Sequence, residues 1–218
     1  MEVGELLEKL DGSRVRVVYD SPYAIRSFIF GHLMDESCCC VVYSDTMMRR
    51  LERTYSSLRR AGYPELNVRV VCIGSGKHAF GKLERRISPE KPAKHILAEM
   101  LSCLRKETSE NSRILLFGFY LMKLLYSGVC VEYMKFLEKL ECENYTLFDF
   151  WPADFCTGIE DHALRRAYDV VLEVKGCPEQ FYGEDVYSIS VADSVLFDVP
   201  PSQNFYRLSG FRFIPYNP

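Results

Sequence analysis

The chain has 218 residues, of which 48% are hydrophobic and 26% charged, a balance that supports a sizeable buried core and excludes an aromatic-poor disordered chain. Lys and Arg total 27 against 30 Asp and Glu, for a formal charge of -3, so no overall attraction draws the chain to phosphate backbones and nucleic acid is not an expected partner. The longest apolar stretch, 114–131, is interrupted by Gly118, Lys123 and Gly128; a membrane helix needs about 20 unbroken apolar residues, and no membrane association is expected.

In chain order, 5–10 reads as a short amphipathic helix closed by Asp11, Gly12 and Ser13. RVRVVY (14–19) follows as a first strand, rich in the β-branched residues of a buried sheet. Asp20-Ser21-Pro22 combines a polar cap with an early proline, which predicts a helix over 24–34. CCCVVY (38–43) is a second strand, and Ser44-Asp45 caps a helix over 47–61 that Gly62 stops. A third strand, 67–73, enters the loop GSGKHAFGK, after which LERRIS offers a helical run of barely a turn and a half before Pro89.

Helices over 94–106, 131–140 and 160–166 then alternate with strands at 113–117, 145–150 and 169–174. This alternation predicts an α/β fold in three layers, a mainly parallel sheet with helices on both faces and right-handed crossovers. Three strand-like segments, 185–192, 194–199 and 206–214, close the chain without an intervening helix and should be antiparallel. No linker divides the sequence, so a single domain over 1–218 is expected.

The opening MEVGELLEKLDGS lacks the basic-then-apolar layout of a signal peptide, which predicts a cytoplasmic protein with reduced thiols. Nine cysteines occur without any CxxC pair, and His32, His78, His95 and His162 lack ligand spacing. Packing as small hydrophobes is therefore expected of the thiols, and no metal. The basic run Arg49, Arg50, Arg53, Arg59 and Arg60 is interrupted by acidic and apolar residues and reads as a solvated helix face.

Gly76 to Lys82, GKHAFGK, satisfies the spacing G-x-x-x-x-G-K and follows a strand, as a phosphate-binding loop should. Leu83 stands where Ser or Thr would ligate magnesium, and no long helix follows to hold the phosphates. Gly76, Lys77, Gly81 and Lys82 are thus a surface loop with, at most, a degenerate anion site. The other candidates are Asp20, Ser21, Arg26 and Asp45. They are expected to cluster at the carboxyl ends of the first two strands, where open α/β sheets bind ligands; helix capping is the plainer reading of the two aspartates and Ser21. Asp154, Glu160 and Asp161 surround a short helix whose dipole accounts for them as well as acid/base chemistry does. Phe148, Phe150, Trp151 and Phe155 are expected to pack in the core. The aromatic tail FYRLSGFRFIPYNP could add a strand to its own sheet or to a second copy's, as in a homodimer.

In its order of elements, residues 14–198 resemble the RecA/KaiC-like ATPase fold. The likeness is carried by VVYSDTMMRRLERTYSSLRRAGY (41–63), similar to that fold's second strand and helix, and by GIEDHALRRAYDVVLEVK (158–175), similar to its later strand after a short acidic helix. The chemical positions depart from the pattern. YDSPYAIRSF (19–28) has no glycine and no lysine where the nucleotide loop belongs, and RILLFGFYLM (113–122) has glycine and aromatics where an acidic residue helps position magnesium. Together with IGSGKHAFGK and GFYLMKLL, this resembles an uncharacterised family from hyperthermophilic archaea that keeps the KaiC-like scaffold without the nucleotide loop. The resemblance implies a pseudo-ATPase with no cofactor, binding a protein partner or small ligand in a regulatory or scaffolding assembly. The alternatives are an atypical nucleotide-binding protein or weak ATPase, and a hydrolase or transferase using Ser21 or a cysteine, for which no positioned base is visible.

Overall fold

The computed structural model describes residues 1–107, 112–140, 142, 145–177 and 185–216. Its strands are β1 (Arg14–Tyr19), β2 (Cys39–Tyr43), β3 (Arg69–Ile73), β4 (Lys82–Ile87), β5 (Ser112–Phe117), β6 (Tyr145–Pro152), β7 (Val170–Gly176), β8 (Val186–Ser194), β9 (Ser202–Ser209) and β10 (Arg212–Pro215). They form one sheet in the order β10-β9-β8-β7-β1-β6-β5-β2-β3-β4. Pairing is parallel from β7 across to β4 and antiparallel from β7 out to β10. The expected three-layer, mainly parallel architecture with antiparallel C-terminal strands is what the chain forms.

Alternation along the central strands builds two cores. Val15, Val17, Cys40, Val42, Phe148 and Phe150 face a layer of α1 (Val3–Lys9), α2 (Pro22–Phe28) and α3 (Asp45–Arg60). Cys39, Val41, Leu116, Leu147 and Trp151 face α4 (Ala93–Glu107), α5 (Tyr120–Leu125), α6 (Val129–Glu138) and α7 (Ile159–Arg165). With both faces covered, the central strands read as continuous apolar runs, as parallel strands do. Consecutive Cys38, Cys39 and Cys40 divide between the two cores. Seven of the nine cysteines are buried, which is packing as small hydrophobes. Phe148, Phe150 and Trp151 are likewise core residues. Among the described residues no helix is long and apolar enough to cross a membrane.

Four local expectations are corrected. LERRIS is not helical: residues 82–87 form β4, an outer strand paired parallel with β3, where the charged Lys82 and Arg85 reach solvent and guard the edge. The segment 194–199 is not a strand. β8 ends at Ser194, whose Oγ accepts the Leu196 amide at 3.1 Å and turns the chain, and Pro200 and Pro201 then offer no amide to a ladder. The expected strand 206–214 is a hairpin of β9 and β10, reversed at Gly210 with φ +60°. The helix 24–34 is α-helical only to Phe28 and continues as a π-helical turn, Ile29–Leu33, closed by the Met34 amide on the Ile29 carbonyl at 2.8 Å. The C-terminal hairpin docks on this turn. His32 Nε2 accepts the Phe213 amide at 2.9 Å, and a Cβ on Gly31 would lie 1.9 Å from the Phe211 carbonyl oxygen.

Candidate functional site

The carboxyl end of β1 is flanked by a crevice on one face of the sheet and a cleft on the other. Two strands, β6 and β5, stand between β1 and β2, so Asp20 and Asp45 are separated by three strand spacings, roughly 14 Å, and do not form the single cluster expected. Asp20 Oδ1 accepts the Gly176 amide at 3.1 Å and fastens the end of β1 to β7. Ser21 Oγ accepts the Ala24 amide at 3.2 Å, which is helix capping. The Arg26 guanidinium lies 4.8 Å above the Tyr23 ring.

Asp45 instead meets the glycine loop, bringing two separately chosen candidates together. Its carboxylate accepts the amides of Gly76 at 2.9 Å and Ser75 at 3.1 Å, and Glu52, two turns along α3, accepts the Ala79 amide. Against the burial that would raise it, the Gly76 and Ser75 amides hold the Asp45 carboxyl below its ordinary value. A Cβ on Gly74 would lie 2.2 Å from Asp45 Oδ1, so the loop closes on this carboxylate only as glycine. The amides that would cradle a phosphate are thus engaged by the protein's own acids. Lys82 starts β4 and pairs with Glu84 at 2.9 Å, and Lys77 is exposed.

On the α2/α3 side, β1 passes to α2 through two residues only, Asp20 and Ser21. The crevice above β1, β6 and β5 is a cavity of about 120 Å³ walled by Tyr19, Arg26, Met47, Phe117, Tyr120 and Phe150. Phe117 and Phe150 stack with centroids 5.0 Å apart. Burial pushes the Tyr19 phenol up, with Tyr120 adding to the effect and Arg50 opposing it. Gly118 turns the chain out of β5 at φ +84°, its missing Cβ leaving room for the Tyr43 carbonyl, which would otherwise lie 2.7 Å away.

On the opposite face of the sheet the same end of β1 borders a cleft of about 530 Å³ between β7, α7 and the 3₁₀ turn Ala153–Phe155, lined by Cys156, Asp161, His162, Arg165, Glu173 and Lys175 among others. Beneath it lies Arg16, fully buried in the middle of β1. Its Nη2 donates to Asp161 Oδ1 at 2.5 Å and to Cys156 Sγ at 3.2 Å, and its guanidinium covers the Trp151 ring at 4.6 Å. Among the described residues, Nε and Nη1 have no hydrogen-bond partner. On β6, in register with Arg16, sits Asp149, also fully buried. Its Oδ2 accepts the hydroxyls of Tyr133 at 2.7 Å and of Tyr168. Burial raises the Asp149 carboxyl above its ordinary value, against the pull of its Trp151, Tyr168 and Tyr133 neighbours.

Neither Arg16 nor Asp149 stands among the residues that the sequence motifs point to, and Asp161 stands there as a helix-dipole residue or an acid/base candidate. The available signal is a charged residue at the centre of an otherwise apolar strand, RVRVVY and YTLFDF, since charges buried in a parallel sheet are paired or hydrogen-bonded. The partner of Arg16 lies 145 residues away, a distance no local pattern spans.

The sheet order, the two helical layers and the antiparallel extension define a KaiC-like α/β fold. Among solved structures the chain is similar to a KaiC-like protein of the hyperthermophilic archaeon Pyrococcus horikoshii, with a TM-score of 0.65 at 9% identity, covering 95% of this chain and 91% of that one. A second Pyrococcus horikoshii protein, known from a structural study, matches with a TM-score of 0.62 at 17% identity over 91% of this chain and 95% of that one. At these identities the likeness is one of fold. No protein-family model matches the sequence, and no curated protein matches it.

Proposed function

We propose that this protein is a non-catalytic KaiC/RecA-like domain, a pseudo-ATPase that binds a partner or a small ligand within a regulatory or scaffolding assembly. The supporting observation is the crevice at the carboxyl ends of β1, β6 and β5. The two-residue passage Asp20-Ser21 leaves no backbone length to wrap a phosphate, β5 ends in Phe117-Gly118 with no carboxylate for a metal, and the cavity of about 120 Å³ is below the roughly 300 Å³ at which small-molecule sites begin. The glycine loop offers no replacement, because Asp45 and Glu52 already accept its amides. The aromatic tail adds β10 to its own sheet, leaving that outer strand as the place where a homodimer would pair.

Thermal unfolding with ATP or ADP at millimolar concentration, with and without magnesium, tests this. A ligand at about 100 times its dissociation constant stabilises by roughly 2.7 kcal/mol, and no such shift is expected. A magnesium-dependent rise in Tm that Arg26→Ala abolishes would establish an atypical nucleotide site instead.

A further inference from the structure

We propose that the cleft between α7 and β7 binds a small metabolite bearing an oxyanion, a phosphate monoester or a short polycarboxylate, with its anionic group between His162, Arg165 and Lys175 above Arg16. The inference rests on the ligand-binding part of the proposed function and gives that ligand a place and a chemical class.

Three observations carry it. The cleft has the size of a metabolite site at about 530 Å³, and lies at the carboxyl ends of β1 and β7, where open α/β sheets take ligands. Its ion-paired charges do not balance. Among the described residues, Arg16, Arg165 and Lys175 are paired with two acids, Asp161 and Glu173. Finally, the array is held in place from below. Glu173 draws Lys175 Nζ to 2.5 Å and Arg165 Nη2 to 3.7 Å, so both cations converge on one side of the cleft while still 44% and 30% exposed.

Arg16 gives the floor its bias. It is fully buried and, among the described residues, keeps two donors, Nε and Nη1, unpartnered and has Asp161, which lines the cleft itself, as its ion-pair partner. A buried cation with unmet donors is costly unless further negative charge can approach. The donor set selects an oxyanion rather than an apolar or cationic ligand, because guanidinium and ammonium groups bind carboxylate and phosphate oxygens through charge-assisted hydrogen bonds. The cleft is too small to seat a folded partner.

The protein carries its own reporter, because its one tryptophan is Trp151, stacked on Arg16 beneath the cleft. Inorganic phosphate, glycerol phosphate and succinate are each titrated at constant ionic strength against sodium chloride while Trp151 fluorescence is followed. A saturable change with phosphate compounds alone, or with succinate alone, supports the site and chooses between the two sources of oxyanion. Arg165→Gln and Lys175→Met, both at partly exposed positions, should each weaken binding about tenfold or more, the worth of a charge-assisted hydrogen bond, with circular dichroism unchanged. Lys94→Gln, on the distant α4 surface, should bind as the wild type does. A response no different from chloride, or one that survives both variants, overturns the proposal. The probes carry neither nucleoside nor magnesium, so that failure leaves the closed crevice and its nucleotide test untouched.

Discussion

The two faces of β1 meet opposite environments at the same end of the strand. Toward α2 and α3 the crevice is narrow, aromatic and closed by a two-residue turn. Toward α7 the cleft is more than four times larger and lined by both signs of charge over a buried arginine. Since strand alternation sends successive side chains to opposite faces, Val15 and Val17 serve one region and Arg16 the other. The chemistry available at this edge of the sheet is thus set by which face carries the charge.

The largest effect is expected from the charged face. Arg16→Met leaves Asp161 without its partner and should cost about 3 to 5 kcal/mol in urea unfolding, the range for breaking a buried ion pair from one side. Adding Asp161→Leu should return much of that loss, and a neutral single variant would show that the cleft floor is not an ion pair. The aromatic side is probed by Gly118→Ala. It places a Cβ against the Tyr43 carbonyl at a positive φ and should cost about 2 kcal/mol, of the order of one strained backbone position, with no change in phosphate titrations.

A pH series separates the two faces further. The Asp149 carboxyl is raised in the folded protein, so the unfolded chain ionises first as pH rises past about 4. Stability present at low pH is then lost toward the raised folded value. Asp149→Asn removes that loss, and its Tm should gain on the wild type as pH rises past about 4; a constant difference would contradict a raised Asp149 carboxyl. The smallest effect is expected from Ser21→Ala, about 1 kcal/mol for a lost helix cap, measured by the same unfolding.

The strand-helix alternation is legible in the sequence because parallel strands buried on both faces are apolar runs, and caps such as Ser21 and Ser44 mark the helices that follow. LERRIS misleads because its charged residues, Glu84, Arg85 and Arg86, are consecutive, so this outer strand carries no alternation to separate it from a helical turn. The candidate site is legible only by residue type. Asp20, Ser21 and Asp45 do sit at strand ends, but the sheet order that parts Asp20 from Asp45 depends on β5 and β6, which are distant in sequence. Arg16 and Asp149 are visible as charges inside apolar strands, and only the register of β1 with β6 makes them neighbours.

Amide chemical-shift mapping of the labelled protein compares the two faces in one experiment, with magnesium-ADP and inorganic phosphate titrated separately. The expected result is that phosphate shifts the amides around Arg165 and Lys175, while magnesium-ADP leaves 19–26 and Phe117-Gly118 in place. Saturable magnesium-ADP shifts in those last two segments would mean that the crevice is a nucleotide site, and would contradict the reading that it is closed to nucleotide.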